Sequence, residues 1–372
     1  MRYFCVLVLA VLVPGLAMAE QSPDLRAMLG QMLMVGFRGT SLDESAPILR
    51  DIRQYHLGGV ILFDRDAREH TWGRNIASPA QVRNLTAQLR GAASIPLFIA
   101  VDQEGGKVCR LKETNGFIPL ASAKTLGQGS PEITQAQALA TGNALADLGI
   151  NMNFAPVVDV DVNPRSPAIG ALERSYSADP HLVAAHAQAM CRGLAAAGVL
   201  PCLKHFPGHG SASADSHHGL TDITQTWSPR ELIPYEILIP LKASPCIMVG
   251  HLFLRQFDSD APATLSPAIL TTLLRQRLGF QGVIISDDMQ MRAITDQYGL
   301  EHALVRAVQA GVDILVFGNN LDYDPDIVPK ALDILEQAVR DGRLTAERIA
   351  QSYARISALK KVQQASSKKR SE

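Results

Sequence analysis

Residues 180–210 read PHLVAAHAQAMCRGLAAAGVLPCLKHFPGHG. A helix-length amphipathic segment, Pro180–Ala197, opens on a proline, which suits the first helical turn because the amide it lacks has no partner there. A short apolar run follows, Pro201–His205, and then a loop of glycine, proline and histidine. Helix, apolar strand and polar loop form the unit of parallel-sheet proteins, whose strands are buried on both faces and so read as continuous apolar runs.

The same unit recurs in both directions along the chain. Strand-like runs fall at Gln31–Gly36, Gly59–Phe63, Pro96–Asp102, Asn151–Ala155, Pro201–His205, Cys246–His251, Gly282–Asp287 and Ile314–Gly318. Helical segments alternate with them, among them Asp43–Tyr55, Pro79–Ala92, Ile133–Leu148, Pro267–Leu278 and His302–Ala310, and two more are read between Pro329 and Gln363. Eight such units in about 300 residues predict a single closed (β/α)8 barrel of TIM type, an α/β fold. A doubly wound sheet is the alternative, but no GxGxxG turn follows the first strand.

The chain has 372 residues, 47% hydrophobic and 19% charged, with 35 basic against 36 acidic side chains. This near-neutral balance lacks the basic footprint that nucleic-acid binding requires. Residues 1–19 read as a signal peptide, with a basic start at Arg2, an apolar Tyr3–Leu16 and the small-residue site Ala17-Met18-Ala19. A mature barrel over 20–363 and a basic, frayed tail over 364–372 complete the expected organisation. The expected location is periplasmic or secreted, without stable membrane insertion once the signal is removed. Of the four remaining cysteines, Cys202 and Cys246 sit inside apolar runs, where a buried thiol is expected.

Barrel enzymes place their chemistry at the carboxyl ends of the strands. Those ends are polar here: Asp102-Gln103-Glu104 after the third run, Lys204-His205 after the fifth, His251 after the sixth and Ser286-Asp287-Asp288 after the seventh. His205, His209, His217 and His218 crowd one loop, and three readings compete for them: a metal site, an acid/base site, or polar loop groups satisfying the backbone. His205 and His209 have helical spacing, but Pro207 and Gly208 forbid a helix there, so a metal site is disfavoured. Asp215-Ser216-His217 places a carboxylate two residues from an imidazole, able to bond one ring nitrogen and fix the tautomer at the other. Asp287, leaving its strand toward the barrel mouth, suits a nucleophile for a sugar anomeric carbon; the competing role is a helix N-cap, which Asp288 can fill instead.

Four motifs carry a resemblance: Gly30-Gln31-Met32-Leu33-Met34-Val35-Gly36-Phe37, Val101-Asp102-Gln103-Glu104-Gly105-Gly106-Lys107-Val108, Lys204-His205-Phe206-Pro207-Gly208-His209-Gly210 with Asp215-Ser216-His217, and Ile285-Ser286-Asp287-Asp288-Met289. The chain resembles the β-N-acetylhexosaminidases of glycoside hydrolase family 3 from about residue 25 to 360. The resemblance implies a retaining hydrolysis with Asp287 as nucleophile and His217, oriented by Asp215, as acid/base. It implies that Asp102, Arg110, Arg174, Lys204 and His205 hold the sugar, and that no metal or organic cofactor is needed. Lys107 stands where the family more often has arginine, and Ser177 where glycine is common. The expected partner is a small carbohydrate containing N-acetylglucosamine, from peptidoglycan fragments or chitin-type oligosaccharides. A phosphorylase, a β-glucosidase and a sugar-binding protein without catalysis are the rival readings. Asp159 or Asp161 is an alternative ion-pair partner for Lys204 and Arg174.

Overall fold

The computed structural model describes residues 24–215, 219 and 221–371. The signal-peptide reading of Met1–Ala19, and Ser216, His217 and His218, lie outside the described residues. Eight parallel strands close a barrel: β1 (Leu33–Gly36), β2 (Gly59–Leu62), β3 (Phe98–Val101), β4 (Met152–Asn153), β5 (Leu200–Phe206), β6 (Cys246–Val249), β7 (Val283–Asp288) and β8 (Ile314–Phe317). Each pairs with its chain neighbours, and β8 returns to β1 with Leu33 opposite Leu315. The (β/α)8 expectation holds, and all eight strands coincide with apolar runs because side chains on both strand faces are buried.

The helices begin where local chemistry favours it. The Ser78 hydroxyl accepts the Gln81 amide ahead of Pro79–Ala92, and the Asp179 carboxylate accepts the His181 amide ahead of Pro180–Ala196. Strand β4 is shorter than the run Asn151–Ala155, since Pro156 just beyond it has no amide to give the ladder. Two irregularities matter for the site. Between Ile247/Leu203 and Val249/Phe206, β6 advances two residues while β5 advances three; between Ile285/Ile314 and Asp288/Val316, β7 advances three while β8 advances two. The extra residues fall at Lys204-His205 and Ser286-Asp287, where bulges re-aim side chains at the barrel mouth.

The tail expectation is corrected. The last helix runs Ala346–Ser371 without a frayed end at 364. Arg370 reaches Asp147 and the carbonyl of Asn143, at the carboxyl end of helix Pro131–Asp147, where a cation complements the helix dipole. This helix closes the amino-terminal face of the barrel: Arg348 and Arg355 meet the buried Asp313, and the Lys360 ammonium donates to Gln31 Oε1 (2.6 Å) and the Gly58 carbonyl (2.9 Å). Cys109, Cys191, Cys202 and Cys246 are free thiols, the last three buried. No helix among the described residues is long and apolar enough to cross a membrane.

Burial pushes the Lys360 ammonium down to about 7. Between that value and the ordinary lysine range, the unfolded chain binds the proton that the folded chain has released, so this group adds stability as pH rises. From pH 7 to 9 the gain is expected to reach about 2 kcal/mol. It should vanish in Lys360→Met; thermal melts of the two proteins with the same pH slope would refute the assignment.

Candidate active site

The carboxyl ends of the strands surround a cavity of ≈ 260 Å³ lined by Asp102, Arg110, Arg174, Lys204, His205, Asp215 and Asp287, together with Glu104 and Asp288. Every site residue expected from the sequence that lies among the described residues is in that lining. His217 is outside them.

One wall is a chain of alternating charges. Lys204 Nζ lies 2.8 Å from Asp102 Oδ1 and 2.7 Å from Glu104 Oε1. Arg174 grips Glu104 with two parallel bonds of 2.7 Å and also donates to the Ala168 carbonyl at 2.8 Å. Bidentate geometry of this kind fixes a guanidinium in orientation as well as in place. Arg110 stands farther off, 3.7 Å from Asp102 and 3.9 Å from Asp64, and Lys112 binds the other Asp64 oxygen at 2.7 Å.

Burial alone would raise the Glu104 carboxyl, but Arg174 and Lys204 outweigh it and hold the group far below the usual carboxylate range. Asp102 is lowered in the same way by Lys204 and Arg110. Burial would lower Lys204 and Arg174, and the same carboxylates raise both instead. Two fixed cations and two fixed anions therefore face the cavity, a set that can donate to and accept from sugar hydroxyls.

His205 belongs to a second arrangement. Its Nδ1 is 2.8 Å from Asp159 Oδ2, and its Nε2 is 3.3 Å from an Arg174 nitrogen. A guanidinium can only donate, so Nε2 is the acceptor and Nδ1–H points to Asp159. Asp159, fully buried, also accepts the amides of His205 and His209. Burial, with His205 alongside, pushes His209 down to about 4, which leaves it a neutral packing group edge-on to His205. The two loop histidines among the described residues thus divide by role: the His205 ring opens to the cavity and the His209 ring braces it.

Asp287 reaches the cavity from the bulged end of β7, with its Oδ1 on the amide of Asp288 at 2.8 Å. Asp288 ties the strand end to its surroundings, its Oδ1 accepting the amides of Gln290 (3.0 Å) and Gly318 (2.9 Å). The buried His251 donates through Nε2 to the Asp288 carbonyl at 2.9 Å and so steadies the strand end. The N-cap role that competes for Asp287 falls to neither carboxylate: the next helix, Arg292–Tyr298, starts behind Met291 and has no side-chain cap.

One sequence expectation is corrected: neither Asp159 nor Asp161 pairs with Lys204 or Arg174, because Glu104 and Asp102 take those places. Sequence reasoning assigns Glu104 no role, although a signal exists, since residues two apart on an extended strand share a face and Glu104 is two from Asp102. Asp64 escapes it as well, despite directly following the second apolar run.

Comparison with known proteins identifies the family. The glycosyl hydrolase family 3 N terminal domain matches residues 24–359. Beta-hexosaminidase LpqI of Mycobacterium tuberculosis is 37% identical over 346 residues, covering 90% of this chain and 82% of that one. Among solved structures, a family 3 beta-N-acetylglucosaminidase from Paenibacillus superposes with a TM-score of 0.84 and 36% identity over 92% of this chain, which spans 63% of that protein. A beta-N-acetylhexosaminidase from Beutenbergia cavernae gives 0.80 and 29% over 91% of this chain and 99% of its own. With a matched domain over nearly its whole length, a closed barrel and charged strand ends converging on one cavity, the chain is a glycosidase and belongs to glycosyl hydrolase family 3.

Proposed function

We propose that the protein is an exported, retaining exo-β-N-acetylglucosaminidase that removes terminal β-linked N-acetylglucosamine from peptidoglycan fragments or chitin-type oligosaccharides. The observation that carries this reading is the meeting of Asp287 and Asp215 in one cavity with a fixed Asp102/Glu104/Lys204/Arg174 wall. The relatives named beta-hexosaminidase and beta-N-acetylglucosaminidase support the choice of sugar, and the reading of Met1–Ala19 as a signal peptide supports export.

In this mechanism Asp102 accepts hydroxyls remote from the scissile bond, while Arg110, Arg174, Lys204 and His205 bind others, which orients the anomeric carbon over Asp287. The Asp287 carboxylate attacks that carbon as His217, held by Asp215, gives its proton to the leaving oxygen. A covalent glycosyl-enzyme results. His217 then takes a proton from water, which attacks the same carbon and releases Asp287, so the anomeric configuration is restored after two inversions. Each group involved is a protein side chain, so a chelator is expected to leave the rate unchanged.

The test is turnover of 4-nitrophenyl β-N-acetylglucosaminide beside the matching β-glucoside, in buffers with and without phosphate, the first-formed anomer being read by NMR. Release of β-N-acetylglucosamine, with the glucoside at least about 100-fold slower, is the expected result. A sugar 1-phosphate formed only with phosphate would replace hydrolysis by phosphorolysis. No turnover of either sugar by the folded protein would leave binding without catalysis.

A further inference from the structure

The loop that follows β5 is gripped at its root by a residue outside the cavity. Glu231, in the short helical turn Pro229–Leu232, is fully buried. Its Oε2 accepts the Gly210 amide at 2.8 Å. Gly208 has φ +117°, and a β-carbon on it would lie 2.5 Å from Glu231 Cβ, so the loop presses on this side chain as only glycine permits. Trp227, four residues earlier, donates from its indole nitrogen to the Pro207 carbonyl at 3.0 Å.

The opposite side of the root is held as firmly. The Asn163 amide donates to the Gly210 carbonyl (3.0 Å) and its side chain to the Ala212 carbonyl (3.2 Å). A β-carbon on Gly210 would lie 1.7 Å from the Val160 carbonyl oxygen. Pro207–Ala212 is thus a clamped strap, and Asp215, three residues beyond it, lines the cavity.

A buried carboxylate is costly unless it is paired. The charged group facing Glu231 is Asp159, an anion; Ser211 and the Gly210 amide pull the other way, and Tyr235 adjoins it. Burial is the largest influence and pushes the carboxyl up to about 7. Such a group lowers stability where an apolar one would not, and it touches neither the cavity nor a cation of its wall. What it does hold is the strap leading to Asp215.

We propose that Glu231 is a positioning residue for the acid/base pair: by fixing the Gly210 amide it sets the root of the loop, and so where Asp215 and His217 meet the leaving oxygen. This rests on the function proposed above.

The test compares two substrates with the full-length enzyme and its Glu231→Ala, Glu231→Asp and Glu231→Gln variants. Chitobiose must expel its reducing-end sugar as an alkoxide, which needs a proton, whereas 2,4-dinitrophenyl β-N-acetylglucosaminide expels dinitrophenolate unaided. Both reach the glycosyl-enzyme through Asp287, so the ratio of their kcat/KM values reports protonation alone and is indifferent to partial loss of folded protein. In Ala, and in Asp, whose carboxylate is one methylene short of the Gly210 amide, the chitobiose value is expected to fall at least about 10-fold relative to the dinitrophenyl value. Gln keeps an acceptor oxygen at the right reach and is expected to hold the ratio within about threefold of wild type. If Ala does not fold, Asp decides. An unchanged ratio in the folded variants, with equal losses on both substrates or none, overturns the proposal. A wild-type protein that cleaves neither substrate fails the function reading itself.

Discussion

Replacing Asp287 by alanine is expected to lower kcat on an aryl β-N-acetylglucosaminide by about 10⁴-fold or more while the protein stays folded. Several carboxylates line the cavity, and the structure distinguishes them. Asp102 and Glu104 are bound by Lys204, Arg110 and Arg174, which lower Asp102 and hold Glu104 far below the ordinary range, so their electron pairs are already committed to cations. Asp288 has one oxygen on two backbone amides. Asp287 emerges at a bulge that turns it inward, with its Oδ1 on the adjacent amide. The diagnostic is rescue. In Asp287→Ala, azide can occupy the vacated space and attack from the same face, giving an α-glycosyl azide from a β-substrate by one inversion. A variant that keeps more than about a hundredth of wild-type kcat, or yields β-azide, would take the nucleophile's role from Asp287.

Asp287 is legible in the amino-acid sequence alone, and the reason is physical. A parallel strand buried on both faces must be apolar until it leaves the barrel, so Val283-Ile284-Ile285 marks the strand and Ser286-Asp287-Asp288 its functional end. The same contrast exposes Asp102 and Lys204. Partners are less legible than positions. Glu104 rather than Asp159 pairs with Arg174 because of where β3 and the 168–174 turn meet, a separation of 70 residues that no local pattern encodes. The bulges at Lys204-His205 and Ser286-Asp287 are properties of register between strands, and a single strand's sequence does not contain them.

The end of the chain shows the opposite failure. Ser366-Ser367-Lys368-Lys369-Arg370 has the composition of a solvated tail, yet it is helical because Arg370 finds Asp147, 223 residues away, and one stripe of the helix, Ile349, Ser352, Ile356, Leu359 and Lys360, is buried against the barrel floor. Glu231 is silent for a related reason. It lies 21 residues beyond Gly210 in an ordinary-looking helix start, and its meaning comes from what folds onto it.

Glu104→Ala is expected to destabilise the protein by about 3–5 kcal/mol, because it leaves two buried cations facing one another without their shared anion. The side chains of Lys204 and Glu104 are 3% and 5% exposed, and Arg174 is 11%, so water cannot substitute for the lost carboxylate. A melting temperature lower by roughly 5–10 °C follows. Catalysis should suffer separately: Lys204 keeps Asp102, but Arg174 loses both bidentate bonds, and the sugar-binding wall loosens, raising KM about 10-fold. Glu104→Gln preserves shape and one acceptor oxygen, so it should lose less stability than alanine while still weakening the pair with Arg174. The pH dependence separates charge from shape. A carboxyl held below its unfolded value contributes stability that is present above that value and is lost as pH falls toward the folded one. Wild type should therefore lose stability on acidification below about pH 4.5, and both variants should lose less over the same interval. If the variants and wild type acidify in parallel, Glu104 is not the anion that sustains the wall, and Asp102 must carry that role alone.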